Sequence, residues 1–248
     1  MHRWDNPIVS AVLAVLCTAA PVFAQAPADP PKIWTVTASA GLALTSGNSN
    51  TSTINVAYDI VYDRQSRNVV KSDGLFLRGK SEGTLSANRI GVNIRDEYRL
   101  TPRVYIFGQN QYLNDEFKDI DFLLAPTFGA GYKLFDTMAT QMSVDASAGG
   151  VWEKNPGFDV ISSGAVAVSE KLMQTLTAST TFTQSFAGLW KTNDFEDALF
   201  TFGVSLAASM STRTQLKLEV LDTFKRKPPL PTIQKNDVAI LMAIVYKI

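Results

Sequence analysis

Residues 238–248 read VAILMAIVYKI, and large apolar side chains recur at every second position from Val238 through Met242 to Ile248. In an extended strand this spacing puts them on one face, while smaller residues such as Ala239 and Ala243 lie on the other. A strand at the edge of a sheet leaves backbone N–H and C=O groups unpaired, and hydrocarbon offers these groups no partner. The stretch therefore predicts a membrane strand that must pair with another part of the chain.

Residues 33–45 supply that partner. Trp34, Val36 and Leu42 belong to one face of this stretch, and Thr35 and Thr37 belong to the other. Pairing between the first and the last strand closes a sheet on itself, so that every backbone group finds a partner within the sheet. Together the two stretches predict an all-β fold, a single transmembrane antiparallel β-barrel.

Ten further runs of alternating apolar and polar residues lie between these two strands. Each is about ten residues long, as expected for tilted strands that cross a bilayer. The alternation is sharp in residues 53–63 and 89–99, and it is ambiguous in residues 69–80, 103–113 and 159–170. The total of twelve strands is even, so the first strand begins and the last strand finishes on the same side of the membrane in this prediction.

Two local features refine this prediction. The connections on one side of the barrel are expected to be the longer ones, and they include residues 114–121, 187–197 and 225–236. Pro126 lies within the run 122–134 and predicts a local bulge or distortion, because proline cannot donate a ladder hydrogen bond.

The first 24 residues have the features of a signal peptide. Arg3 precedes an apolar run at residues 8–20, and the small residues Val22 and Ala24 suit cleavage after Ala24. This run is shorter than the roughly 20 residues that a spanning helix needs. We therefore divide the chain into residues 1–24, a cleaved signal peptide, residues 25–32, a proline-containing periplasmic segment, and residues 33–248, the barrel.

The residue content excludes several classes of site. The single cysteine, Cys17, and the single histidine, His2, both lie in the predicted signal peptide. The mature chain is therefore expected to lack disulfides, thiolate or imidazole metal sites, and Ser-His or Cys-His catalysis. The 23 basic and 23 acidic residues balance and give no indication of nucleic acid. We predict no cofactor and no metal, and as partners outer-membrane lipids, lipopolysaccharide and the barrel assembly machinery.

A soluble all-β protein such as a lipocalin is the competing fold. It would turn its apolar face inward and its polar face outward, and alternation alone does not separate the two arrangements. The number of strands, the aromatic residues near the predicted strand ends and the small, hydroxyl-rich second face favour the membrane barrel.

Four stretches of the chain resemble a known family. They are residues 45–53 (TSGNSNTST), Gly79-Lys80-Ser81 with Ala87-Asn88-Arg89, Tyr105-Ile106-Phe107-Gly108 followed by Asp115-Glu116-Phe117, and residues 129–134 (GAGYKL). In this order they resemble the salt-induced outer membrane proteins of the DUF481 family. The resemblance implies a location in the outer membrane of Gram-negative bacteria, and it brings no established activity or catalytic residue with it.

The predicted inward faces differ around the barrel. Charged residues from three strands face the lumen in this prediction: Asp59, Asp63, Arg89, Arg95, Glu97, Arg99, Lys217 and Glu219. Small residues come from the strands between positions 138 and 210: Ser143, Ser147, Ala165, Ala167, Thr177, Thr181, Gly203 and Ser205. One wall is thus expected to carry both signs of charge and the opposite wall to be small and neutral, with space between them. Either the charges pair and fill the barrel, or they line a narrow water-filled pore.

Three classes of function follow. The first is a narrow pore for small solutes or ions, associated with salt or osmotic stress, in which Arg95 and Arg99 bias permeation toward anions. The second is a closed structural barrel of the envelope without transport activity, and the third is an outer-membrane enzyme that depends on carboxylates alone. Asp115, Asp119 and Asp121 in one outer loop are either a site for divalent cations or solvated loop charges.

Overall fold

The computed structural model describes residues 33–45, 51–81 and 83–248. These residues form twelve strands: β1 Trp34–Thr45, β2 Thr51–Asp63, β3 Asn68–Ser81, β4 Thr84–Arg99, β5 Val104–Asp115, β6 Ile120–Asp136, β7 Thr140–Lys154, β8 Ile161–Thr177, β9 Thr180–Lys191, β10 Asp194–Ser209, β11 Thr214–Lys225 and β12 Asn236–Lys247. A 3-10 helix, Glu116–Lys118, lies between β5 and β6. The predicted signal peptide and residues 25–32 fall outside the described residues.

Each strand pairs antiparallel with its neighbours in sequence, and β1 pairs with β12 to close the barrel. Ala38 lies opposite Tyr246 and Ala40 opposite Ile244. Closure gives the edge groups of the first and last strands a partner, as the alternation of both strands requires. The predicted fold, a closed antiparallel barrel of twelve strands, is confirmed. We call the end where β1 begins and β12 finishes the terminus end, and the opposite end the loop end.

The outward face of the barrel is apolar and exposed. On β12 the exposed side chains include Val238, Ile240 and Met242, whereas Leu241 between them is buried in the lumen. Strand β2 shows the same division, because Ile54 and Val56 are exposed and Asn55 is buried. A large exposed apolar surface is unfavourable in water and favourable in hydrocarbon, so this face is suited to lipid.

Two strands that the sequence left ambiguous have a definite register. In β3, Val69 and Leu77 are buried inside the barrel and Val70 is exposed outside. In β5, Tyr105 and Phe107 point into the lumen, and Ile106 points outward. The neighbouring strand explains this choice for β5, because Gly131 of β6 lies beside the Tyr105 ring and leaves room for it inside.

Several strands are longer than predicted at the loop end. The predicted loop at residues 187–197 is wrong, because β9 continues to Lys191, β10 begins at Asp194, and only two residues connect them. The polar residues after Asp194 are accommodated by a bulge in β10 before Ala198. The outer part of this hairpin is therefore part of the barrel wall.

Pro126 interrupts the ladder between β6 and β7 locally. Leu124 pairs with Trp152 and Thr127 pairs with Gly149, so the ladder resumes in the same register after the proline. The predicted distortion is an interruption without a register shift, and the shifts in β6 lie elsewhere, near Leu113 of β5 and near Lys133. No helix in the described ranges is long and apolar enough to span a membrane.

Candidate functional site in the barrel lumen

The register places all eight predicted lumen charges on inward faces. Asp59 and Asp63 lie on β2, the group from Arg89 to Arg99 on β4, and Lys217 with Glu219 on β11. These positions share a face with residues that the barrel buries, such as Asn55 and Thr223. The structure brings most of the eight into ion pairs, so they do not form one exposed charged wall.

Arg95 is the centre of the largest group at mid-lumen. Its Nε lies 2.8 Å from Glu97 Oε1, and its Nη1 lies 3.0 Å from Asp145 Oδ2 on β7. Lys71 Nζ reaches the same Glu97 oxygen at 2.8 Å. The Arg95 guanidinium also lies over the Phe107 ring, with its Cζ 3.6 Å from the ring centroid. Two cations and two carboxylates therefore neutralise each other, and Arg95 does not face water across a gap as an open filter requires.

Two further pairs use other predicted charges. At the terminus end, Arg99 Nη2 lies 2.5 Å from Asp63 Oδ2. On β11, Lys217 Nζ lies 2.8 Å from Glu219 Oε2. Both pairs keep part of their surface exposed. Solvent therefore screens the attraction between the charges, and each pair contributes little to the stability of the barrel.

The loop end holds a buried cluster of four charges that was absent from the predicted site. Glu153 of β7, Lys191 of β9, Asp197 of β10 and Lys225 of β11 meet there, with N–O distances from 2.5 to 3.0 Å. The Lys225 and Glu153 side chains are each only 2% exposed. Since Glu153 and Lys225 lie on strands that are not neighbours in the barrel, their contact crosses the lumen.

Two more contacts cross the barrel near the loop end. Lys118, in the connection between β5 and β6, is fully buried, and its Nζ lies 2.7 Å from Asp237 Oδ2 on β12. The same nitrogen donates a hydrogen bond of 3.1 Å to the Gln234 carbonyl. Arg89 of β4 donates a hydrogen bond to the hydroxyl of Thr223 on β11. The β5–β6 connection, which the sequence predicts as one of the longer outer loops, thus contacts the opposite side of the barrel.

An apolar layer fills the lumen beneath these contacts. It consists of inward side chains from β5 to β10 and the residue that begins β6: Leu113, Ile120, Leu123, Ala125, Val151, Ala165, Leu189 and Leu199. Val151 is completely buried, as expected for the interior of a packed layer. Among the described residues, the lumen at the loop end is therefore packed with apolar side chains along β5 to β10.

Closer to the middle of the barrel the lumen keeps a cavity of about 40 Å³. Its lining includes Gln109 and Gln111 of β5, Ser147 of β7, Ser169 of β8 and Thr201 of β10. Here the predicted small wall leaves space, because serine, threonine and alanine side chains are too short to reach the opposite strands.

Asp145 and the loop-end lysines are the functional candidates that sequence reasoning missed. Asp145 alternates correctly as an inward residue, but nothing local in the sequence shows that Arg95 reaches it. Lys191 and Lys225 follow aromatic residues near strand ends and read as solvated loop charges. Continuing the period-two alternation by two positions, from Leu189 to Lys191 and from Thr223 to Lys225, would have placed both lysines inside.

At the candidate site for divalent cations, protein groups already contact one of the three aspartates. The Asp115 carboxylate accepts a hydrogen bond from the Phe117 amide and lies 3.8 Å from Arg89 Nη1. Asp119 has a left-handed backbone and its carbonyl accepts a 2.6 Å hydrogen bond from Asn155 Nδ2. Within the described ranges, the structure contains no group of three carboxylate, histidine or cysteine side chains arranged for a metal ion.

The solved structures that are similar to this chain include outer-membrane porins and channels. A NanC porin structure is 9% identical to this chain, covers 86% of it and 98% of its own length, and superposes with a TM-score of 0.50. The COG4313 outer membrane channel from Pseudomonas putida F1 is 12% identical, covers 90% of this chain and all of its own, and gives a TM-score of 0.49. At such identities the likeness concerns the fold alone. No curated protein matches the chain.

The family comparison covers nearly the whole barrel. A family model described as a protein of unknown function, DUF481, matches residues 38–248. The match runs from β1 through β12 and includes the four stretches quoted above from residue 45 onward. The chain belongs to the DUF481 family.

Proposed function

We propose that this protein is a β-barrel of the Gram-negative outer membrane that forms a narrow channel for small solutes or ions. The observation that carries the proposal is the cavity of about 40 Å³ that remains in the lumen between β5 and the small residues of β7 to β10. The fold that the chain shares with a porin of known structure supports it. Its resemblance to salt-induced outer membrane proteins supports a role under salt or osmotic stress.

The exposed apolar face supports the membrane location. Aromatic side chains lie on this face near both ends, with Tyr98 and Tyr132 toward the terminus end and Trp152 toward the loop end. Aromatic residues at these heights are typical of the two interfaces of a membrane barrel. Outer-membrane lipids, lipopolysaccharide and the barrel assembly machinery are the partners that this location requires.

Adjacent residues of β4 test which face meets lipid. We expect Val92→Arg to lower the free energy of unfolding by about 2–4 kcal/mol, because it places a charge in hydrocarbon near the midplane. Asn93→Arg points into the lumen, where water and carboxylates surround it, so its effect should be several times smaller. Urea titration of both variants refolded into lipid vesicles measures the difference. Equal losses would show that the assignment of inside and outside is wrong.

The packed loop end favours a second candidate, a structural barrel without transport activity. The apolar layer around Val151 and the contacts of Lys118 and Lys225 across the lumen narrow the loop end. A channel with this structure must therefore widen at the loop end, whereas a structural barrel never does.

Conductance in potassium chloride separates the two candidates. We expect purified wild-type protein in planar bilayers to open rarely. Lys118→Met should open more often, because it removes the ion pair with Asp237 while it keeps the length of the side chain. Lys235→Met, at an exposed position in the facing connection, is the matched control and should behave as the wild type does.

An absence of conductance in folded protein would contradict the channel proposal. If wild type and Lys118→Met are both folded, as judged by heat-dependent mobility in gels, yet pass no current at any voltage, the channel proposal fails. The structural barrel would then be the remaining function.

A further inference from the structure

Glu170 of β8 is a carboxylate on the outward, apolar face of the barrel. It lies opposite Val144 of β7 on one side and Phe186 of β9 on the other. Val168 follows the same alternation along β8 and is exposed on the outside, so Glu170 points toward lipid rather than into the lumen. A carboxylate among side chains that face hydrocarbon is unfavourable unless another polar group compensates it.

The position of Glu170 along its strand places it deep in the hydrocarbon region. Ser162, near the loop end of β8, lies opposite the interfacial residue Trp152. Glu170 lies near the middle of β8, away from both interfaces. Asp96 and Asp222 also point outward, but they lie close to strand ends, where headgroups and water compensate their charge.

Protein groups satisfy only part of this carboxylate. Gln184 of β9 donates a hydrogen bond of 3.3 Å from its Nε2 to Glu170 Oε2. In the part of the chain that the structure describes, Glu170 Oε1 has no hydrogen-bond partner. The second N–H of the Gln184 amide and its carbonyl oxygen also form no hydrogen bond within the described ranges. Both side chains are long, unbranched and half-buried, so they can turn toward a partner outside the barrel.

The wall on the β7 side of this pair carries small, exposed side chains. Ala146 lies opposite Val168, and Ala148 lies opposite Val166. Ala130 of β6 extends the row, because it pairs with Ala146 on the other side. Small side chains let another flat surface approach closely, and close packing stabilises contacts between proteins in hydrocarbon.

A second copy of the chain supplies the missing hydrogen-bonding groups. Glu170 offers acceptors and Gln184 offers a donor on the same face, so a two-fold axis between them would place each beside its complement in the other barrel. The hydrogen bond between the two barrels would then form twice. Lipid acyl chains, in contrast, have no donor or acceptor to offer.

We propose that the outward face of β7 to β9 around Glu170 and Gln184 is a self-association interface, through which two copies of the barrel pair in the membrane. Gln184 of each barrel donates to Glu170 of the other, and Ala146 and Ala148 lie in the surrounding contact. The inference adds an assembly to the proposed channel. It depends on the membrane location of the barrel and does not depend on conductance.

Energy transfer between labelled barrels measures the association. Cys17, the only cysteine, lies in the predicted signal peptide, so a single introduced cysteine can carry the dye. Met138→Cys suits this purpose, because Met138 is 85% exposed in the turn between β6 and β7. We expect donor-labelled and acceptor-labelled copies in phosphatidylcholine vesicles to show more transfer than random encounters give, decreasing as lipid is added.

Substitutions at the pair test its role. Glu170→Leu combined with Gln184→Leu should raise the dissociation constant by about fivefold to tenfold, as expected for two lost hydrogen bonds in a membrane. Glu170→Gln keeps hydrogen-bonding groups at this position and should associate much as the wild type does. Asn110→Leu is the matched polar-to-leucine control on the exposed outer face of β5, and it should change nothing. Each variant must first show the heat-dependent gel mobility of the folded barrel.

Disulfide cross-linking locates the interface. Leu172 lies opposite Gln184 and follows Glu170 on the same face, so Leu172→Cys would lie close to the two-fold axis. Val56→Cys is the control, because Val56 is exposed on β2, on the opposite side of the barrel. Oxidation in vesicles should link Leu172→Cys into dimers and leave Val56→Cys largely monomeric.

Three outcomes would overturn the proposal: energy transfer in the folded wild type no higher than random encounters give, equal cross-linking at the two cysteine positions, or undiminished association of the double leucine variant. None of these bears on conductance in potassium chloride. A barrel that conducts ions as a monomer would keep the proposed function and lose this inference.

Discussion

Arg95→Glu is expected to lower the free energy of unfolding by at least about 3–5 kcal/mol. The substitution removes the cation that Glu97 and Asp145 share and puts a third carboxylate between them. The Arg95 side chain is only 11% exposed, so water in the lumen compensates little of this repulsion. Urea titration of the variant refolded into lipid vesicles measures the loss.

Arg103→Glu is the matched control. It makes the same change of charge in the exposed turn between β4 and β5, where a surface substitution typically changes stability by less than about 0.5 kcal/mol. If Arg95→Glu is as stable as this control, Arg95 is solvated rather than paired. That result would support the anion filter that the sequence predicts for Arg95 and Arg99.

Glu153→Gln is expected to have the second large effect, a loss of about 3–5 kcal/mol. It leaves Lys191 and Lys225 with Asp197 as their common carboxylate, and thus an uncompensated positive charge in a site from which water is excluded. Thermal and urea unfolding of the refolded protein both measure the effect.

A second substitution tests the mechanism of that loss. Glu153→Gln combined with Lys225→Met leaves Lys191 and Asp197 as a neutral pair, so the double variant should regain much of the stability lost in the single one. Glu196→Gln is the control on the same hairpin, because its side chain is 76% exposed and lies 3.8 Å from Arg226. Additive losses in the double variant would contradict the charge-pairing explanation.

The alternation of side chains predicted the barrel and most of its strands because each strand meets two different solvents. On β12, hydrocarbon outside and the lumen inside require the separation of Ile240 from Leu241 that the structure shows. The sequence left the register open where the two faces are alike in polarity. Tyr105 and Phe107 are aromatic, as are outward residues, and Gly131 and Gly129 on the neighbouring strand leave room for these two rings inside.

The predicted loop at residues 187–197 was wrong for a related reason. Three of the residues 194–197 are acidic and read as part of a loop, but the bulge in β10 turns Asp197 inward toward Lys191. A polar residue that is buried against an opposite charge looks the same in sequence as one that is solvated. Its environment depends on a partner that lies on another strand.

The sequence by itself determined the class of fold, the pairing of the first and last strands, and the side of the barrel on which most residues lie. These properties depend on spacing along one strand and on the demand for backbone hydrogen bonds. Only the tertiary structure decided which charges meet, because Lys225 and Glu153 are 72 residues apart and Lys118 and Gln234 are 116 apart. Strand register and the cross-section of the closed barrel bring these residues together. They therefore decide that buried charges meet at the loop end and that a cavity remains in the middle of the lumen.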